Sequence, residues 1–184
     1  DYVRYEEDGV GVEPEVYSDY EGIVGDSILT EDNALIEYDI RVEESGYYYL
    51  SLLYYPVEGK SSDIQRSFFI DGKLPYNEMA LIEFNRIWEV GRVETHLDDK
   101  GIPVKNWEKD NQGNDIKPSS IEVAEWVRSY CYDNNGYITS PLAIYLSEGS
   151  HTISMLSLRE PMLIHEITLS KIEEAPTYEV VKET

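Results

Sequence analysis

The chain has 184 residues and a mass of 21.2 kDa, enough for about one domain with a hydrophobic core of its own. Lys and Arg number 15 against 37 Asp and Glu, a net charge of −22, and a polyanion of that size is repelled by nucleic-acid phosphates and by anionic membrane surfaces, so neither is an expected partner. A lone cysteine, Cys131, excludes an intrachain disulfide and a thiolate metal cluster.

The chain starts at Asp1 without an initiator Met or an apolar leader, and so reads as a domain cut or processed from something longer. Residues 1–12 are expected to form an N-terminal segment, 13–172 the folded domain, and 173–184, ending in "EEAPTYEVVKET", a charged linker to a following domain. "ALIEYDIRVE" (Ala34 to Glu43) alternates, with Ile36, Tyr38, Ile40 and Val42 on one side and Glu37, Asp39, Arg41 and Glu43 on the other. That is the pattern of a half-buried strand. The run from Tyr47 to Tyr55, "YYYLSLLYY", predicts a strand covered on both faces or one whose outer face is a tyrosine surface. It falls far short of the roughly 20 residues that span a bilayer.

"RSFFIDGKLPY" predicts a strand, a tight Asp71-Gly72 turn and a return. "MALIEFNRIW" and "SSIEVAEWV" are further strand candidates, with Trp88 expected in the core and Trp126 either the last inward residue of its strand or a loop aromatic. In the C-terminal third the pattern predicts a strand to Ser147, a Glu148-Gly149 turn, a strand from His151 to Leu158, a break at Pro161 and a last strand to Leu169. Many short strands between Gly, Pro, Asn and Asp signals, with no sustained helical repeat, predict an all-β fold: a two-sheet antiparallel sandwich of jelly-roll type.

Between two of these strands lies "KDNQGNDIKP", Lys109 to Pro118, where Asp110, Gln112, Asn114 and Asp115 crowd oxygen-bearing side chains together. Counted from Asp110, a helix–loop–helix calcium loop needs Gly at the sixth place and Glu at the twelfth; the chain has Asp115 and Ile121. The stretch reads instead as a long polar loop carrying Trp107. "GKS" at Gly59 to Ser61 lacks the earlier Gly of a phosphate loop, and His165-Glu166 lacks the second His of a zinc protease helix. No G-x-S-x-G elbow is present. With 37 acidic residues, a pair of carboxylates suited to glycoside hydrolysis is no signal at all.

Aromatic residues in polar loops are more informative, because a flat ring offers an apolar face to a sugar while Asn, Asp and Arg satisfy its hydroxyls. Trp107 lies beside "EKDNQGND", and Trp126 leads into "VRSYCYDNNGY" with Tyr130.

"DYEG" at Asp19 to Gly22, the stretch from Ser45 to Glu78, "QGNDIKP" at Gln112 to Pro118 and the stretch from Tyr145 to Leu169 together resemble the β-sandwich module of large bacterial extracellular solute-binding proteins of sugar ABC transporters. The resemblance implies a galactose-binding-like jelly roll without catalytic activity, displayed on the outside of the cell, whose partners are carbohydrate and the other domains of the transport receptor. Many modules of this kind hold a structural calcium between an early Glu and a last-strand Asp. Here Glu13 and Glu15 would supply the early side, but the last-strand position holds His165, a poor calcium ligand, so no metal ligand set is assigned.

Two readings follow. As a carbohydrate-binding module, the chain would present Trp107, Trp126 or Tyr130 on its surface with Asn114, Asp115 and Arg66 converging nearby. As a structural interaction module, it would fold the same residues inward or turn them toward another domain.

Overall fold

The computed structural model describes residues 2–91 and 93–173, and these fall into two units, one of residues 2–85 with 125–173 and the other of the described residues within 86–124. The larger unit is a sandwich of two six-stranded antiparallel sheets. Sheet I contains β1 (Arg4–Glu7), β2 (Val10–Gly11), β5 (Ala34–Val42), β7 (Ile64–Ile70), β8 (Ile82–Phe84) and β15 (Gly149–Arg159), in the order β2-β1-β5-β15-β7-β8. Sheet II contains β3 (Val16–Ser18), β4 (Asp26–Thr30), β6 (Gly46–Pro56), β13 (Val127–Tyr130), β14 (Ala143–Leu146) and β16 (Met162–Lys171). Its order is β13-β6-β16-β4-β3, with β14 also on the free edge of β6. The chain alternates between the sheets along β5, β6 and β7 and again along β14, β15 and β16, which is the jelly-roll winding. Among the described residues there is no α-helix, only short 3₁₀ turns at Tyr20–Gly22 and Asn77–Ala80.

The alternation in β5 buries Ile36 and Val42 against the other sheet, as the sequence predicts. In β6 the period is also two: Tyr48, Leu50, Leu52 and Tyr54 enter the shared core, where Tyr54 and Phe84 meet edge to face at 5.2 Å, while Tyr47 on the opposite face is 54% exposed. The Glu148-Gly149 link does not fold β14 back onto β15; it carries the chain from sheet II to sheet I, since β14 pairs with β6 and β15 with β5 and β7. Residues 1–12 include β1 and β2, and β1 pairs with β5 from Arg4 to Glu7. The expected linker 173–184 lies outside the described residues, apart from Glu173.

The Asp71-Gly72 turn is a two-residue hairpin closed by Ile70 N–H to Lys73 O at 2.8 Å and Lys73 N–H to Ile70 O at 2.9 Å. Both central residues have positive φ, 51° and 69°. A Cβ at Gly72 would meet no atom within 4 Å, so the cost of a substitution there is conformational alone. Gly72→Val should destabilise the domain by about 1 kcal/mol or more, read as a lower urea midpoint with an unchanged slope; an unchanged midpoint would contradict the turn geometry.

Asp71 also ties this hairpin to β15. Its Oδ1 accepts the Thr152 N–H at 2.9 Å and its Oδ2 lies 2.7 Å from His151 Nδ1, while His151 Nε2 faces the Ser147 carbonyl at 2.9 Å. Two acceptors facing one imidazole favour its doubly protonated form. The Asp71 hydrogen bond, then the Ser147 carbonyl, raise the His151 pKa above its ordinary 6.5. A raised folded-state value contributes stability that is full below the unfolded value and lost as the pH climbs through the folded one. Melting temperature should therefore fall as pH rises above about 6.5, and His151→Gln should flatten that slope. A slope identical in the variant would remove His151 as its source.

Candidate functional site

The unit 86–124 carries the long polar loop. Two strand pairs shape it: β9 (Trp88–Val90) with β12 (Ser120–Glu122), and β10 (Glu94–Leu97) with β11 (Pro103–Asn106), both antiparallel. Asp98 closes the β10–β11 turn by accepting the N–H groups of Lys100 and Ile102 at 2.9 and 2.8 Å. Of the described residues in this unit only Arg86 is buried, in an ion pair with Glu122. Trp88, expected in the core, is 46% exposed: within this unit β9 pairs with β12 alone, and every residue of β9 is exposed. "SSIEVAEWV" likewise is not one strand: it is extended over Ser120–Glu122 and again from Val127, the first residue of β13.

Within the loop, Asp110 organises the tip. Its Oδ1 accepts the N–H groups of Gln112 and Asn114, both at 2.8 Å, and its Oδ2 accepts the Asn114 amide at 2.9 Å. These bonds, the Asn114 amide first, hold the Asp110 carboxyl below its usual range. Asn114 and Asp115 are exposed, but Asn114 is turned to Asp110 and Asp115 to Lys109 Nζ at 3.4 Å. The oxygen-rich stretch thus spends its side chains on its own turn.

At the base of the loop Trp107 is half-buried in a cleft of ≈ 660 Å³ whose walls include Glu94, Asn106, Glu108, Ile116 and Ile121. Lys105 Nζ sits 5.7 Å from the centre of the indole, within cation–π range. Gly91 lies in the wall, its N–H bonded to Ser119 O at 3.0 Å; a Cβ there would stand 2.8 Å from that carbonyl, so only glycine lets the two segments close up. An aromatic ring, an amide and two carboxylates facing one open volume can stack on an apolar ring face and pair with hydroxyls. Neither Asn114 nor Asp115 is among the residues lining this cleft.

The other predicted site residues belong to the sandwich. Arg66 cannot contact a ligand, because it is 0% exposed. It lies on the inward face of β7 between Ile64 and Phe68, and its guanidinium donates to the carbonyls of Gln65, Arg159 and Thr30 and to Thr30 Oγ1. Burial pushes it down to about 9, against the pull of Asp32, Tyr5, Glu160 and Glu31, so it remains charged at neutral pH. Trp126 is half-buried and laid against the outer face of sheet II: its Nε1–H donates to Tyr20 O at 3.1 Å, and its ring lies 5.4 Å from Tyr55 and 5.8 Å from His165. Tyr130 is half-buried on the outer face of sheet II, edge to face with Tyr49 at 6.0 Å. Asp133 beyond it caps a turn, accepting the N–H groups of Asn135, Tyr137 and Ile138.

The calcium site that the resemblance implies is not matched by the residues present. Glu13 accepts a hydrogen bond from Tyr2 at 3.0 Å, Glu15 one from Tyr17 at 2.7 Å, and His165 Nδ1 lies 3.2 Å from Ser27 Oγ. Among the described residues no three His, Cys, Asp or Glu side chains are grouped to hold a metal ion. No helix among them is long and apolar enough to cross a membrane.

No family and no curated protein sequence matches the chain. Solved structures are similar to it, three of them as follows. A GH26-CBM35 β-(1,4)-mannanase of Podospora anserina is 17% identical over 94% of this chain, which spans 28% of the mannanase, with a TM-score of 0.47. The CBM22-1 xylan-binding domain of Xyn10C from Paenibacillus barcinonensis is 11% identical over 94% of this chain and 88% of that domain, with a TM-score of 0.42. A family 35 carbohydrate-binding module from Clostridium thermocellum is 12% identical over 88% of this chain and 100% of the module, with a TM-score of 0.41.

Proposed function

We propose that the chain is a non-catalytic carbohydrate-binding module, serving as an accessory domain of an extracellular sugar-uptake receptor, and that Trp107 is its stacking residue. The observation that carries this reading is the half-exposed indole in an open cleft shared with Asn106, Glu94 and Glu108. The cleft volume, ≈ 660 Å³, falls in the range of small-ligand sites. A surface of net charge −22 suits a neutral sugar better than a phosphorylated or sulfated one. The resemblance of Ser45 to Glu78 and Tyr145 to Leu169 to receptor modules supports the setting.

The test is a glycan array with the parent chain and Trp107→Ala. Binding should fall at least about tenfold, which corresponds to loss of about 1.4 kcal/mol, while the melting temperature stays nearly unchanged. Binding undiminished by the substitution for every glycan would remove Trp107 from the site.

A second reading, a structural module that contacts another domain of its parent protein, is favoured by the apolar side chains that the unit 86–124 leaves exposed. Val90 is 60%, Leu97 66% and Ile121 56% exposed, a display typical of contact surfaces. On that reading the array is silent and charged substitutions at Leu97 and Ile121 raise solubility.

A further inference from the structure

We propose that the outer face of sheet II is a second glycan surface, separate from Trp107, which takes an extended neutral polysaccharide along β6. The residues of β6 on this face are Tyr47, Tyr49, Ser51 and Leu53, roughly 7 Å apart in turn; Tyr47 is exposed, Tyr49 and Leu53 are half-buried and Ser51 is covered. The register places Tyr145 of β14 opposite Tyr47, and Tyr130 of β13 opposite Ser51. The four rings form two edge-to-face pairs, Tyr47 with Tyr145 at 5.4 Å and Tyr49 with Tyr130 at 6.0 Å. Tyr47 and Tyr145 are 54% and 59% exposed, near the start of β6 and the end of β14, where a polar residue would serve the fold equally well.

Beyond the rings the face turns polar without leaving the same strands. Arg128 and Glu166 flank Leu53 from β13 and β16 and meet at 2.6 Å, and Arg128 also donates to Thr168 Oγ1 at 3.1 Å. The Arg128, Glu166 and Thr168 side chains bond one another, but the ion pair is 43% and 46% exposed, so its remaining donors and acceptors can reach hydroxyls of a sugar chain stacked on the neighbouring rings. A protein partner is the weaker occupant, because the centres of protein interfaces are depleted of charge, whereas here the Arg128–Glu166 pair straddles the central strands. A polyanion is disfavoured by the net charge of −22. The Tyr47 and Tyr145 end opens into a cleft of ≈ 390 Å³ whose further walls are Ile70, Leu74, Pro75 and Tyr76, so a bound chain has room to continue past the strand end.

The experiment is affinity electrophoresis of the full chain through gels containing soluble xylan, galactomannan or mixed-linkage β-glucan. Trp107→Ala should still be retarded by at least one of these, and adding Tyr47→Ala with Tyr145→Ala should weaken that retardation at least tenfold without changing the melting temperature. If the triple variant melts early, Tyr145→Ser alone in the Trp107→Ala background should weaken it severalfold. Retardation of the parent that Trp107→Ala abolishes overturns this proposal and leaves the Trp107 reading standing; retardation lost only with the tyrosines does the reverse. Failure of all three gels to retard the parent overturns both. Self-association in sedimentation that the tyrosine substitutions remove, without retardation, assigns the face to protein contact and overturns the proposal.

Discussion

Arg66→Met should lower the unfolding free energy by about 3 to 5 kcal/mol, the range for removing one member of a buried charge network. Methionine fills much of the same volume, so the loss is not a cavity. It comes from the carbonyls of Thr30 and Arg159, which lose their guanidinium donors inside the sandwich, each an unsatisfied buried group costing about 1 to 3 kcal/mol. The neighbouring carboxylates suffer as well. Glu160 is 1% exposed and holds the β6–β7 loop through Lys60 N–H at 2.8 Å and Ser62 Oγ at 2.7 Å, and Asp32 and Glu160 both lie in the field of Arg66. Arg66→Lys should recover only part of the loss, because one ammonium cannot reach carbonyls from β4, β7 and β15 at once. Urea unfolding followed by fluorescence measures both variants; a loss below about 1 kcal/mol for Met would mean that the network is dispensable.

Trp126→Ala should lower stability by about 2 kcal/mol, less than the 3 to 5 typical of a fully buried Trp because the ring is half-buried. The indole covers the outer face of sheet II at Tyr55 and Leu163, and its N–H fastens the Tyr20 turn that packs edge to face on Tyr55 at 5.2 Å. Without it the turn at Tyr20–Gly22 loses its anchor, and hydrogen exchange should rise first in residues 17–25. Glycan binding should be untouched. Trp107→Ala is expected to do the opposite, so the two tryptophans separate binding from stability in one pair of measurements. Lost binding with Trp126→Ala at an unchanged melting temperature would show that Trp126, not Trp107, touches sugar.

The class of fold was legible in the sequence because it rests on local periodicity. Alternation in Ala34 to Val42 and the positive-φ demand of Asp71-Gly72 are properties of a few adjacent residues, and they hold wherever the strand ends up. The net charge needed no structure either, and it narrows the ligand class by long-range repulsion alone. The candidate site was legible in part. Trp107 in a polar loop could be named, but the Glu94, Asn106 and Ile121 that share its cleft come from strands on either side of it, and sequence spacing carries no information about that meeting.

What only the tertiary structure decided is which face each residue takes and what lies over it. Arg66 and Trp126 look like surface binding groups by type, yet one fills the end of the core with its terminal nitrogens bonded to backbone carbonyls and to Thr30 and the other pins a turn. Trp88 looks like core and is exposed, because β9 has no neighbour but β12 in its own unit. Tyr47 and Tyr145 are far apart in sequence and become a pair only because β14 lies against β6, in a register that non-local hydrogen bonding sets. Period-two patterning assigns residues to two sides of a strand, but the choice of the wet side, and of the strand next door, belongs to the packing of the whole sandwich.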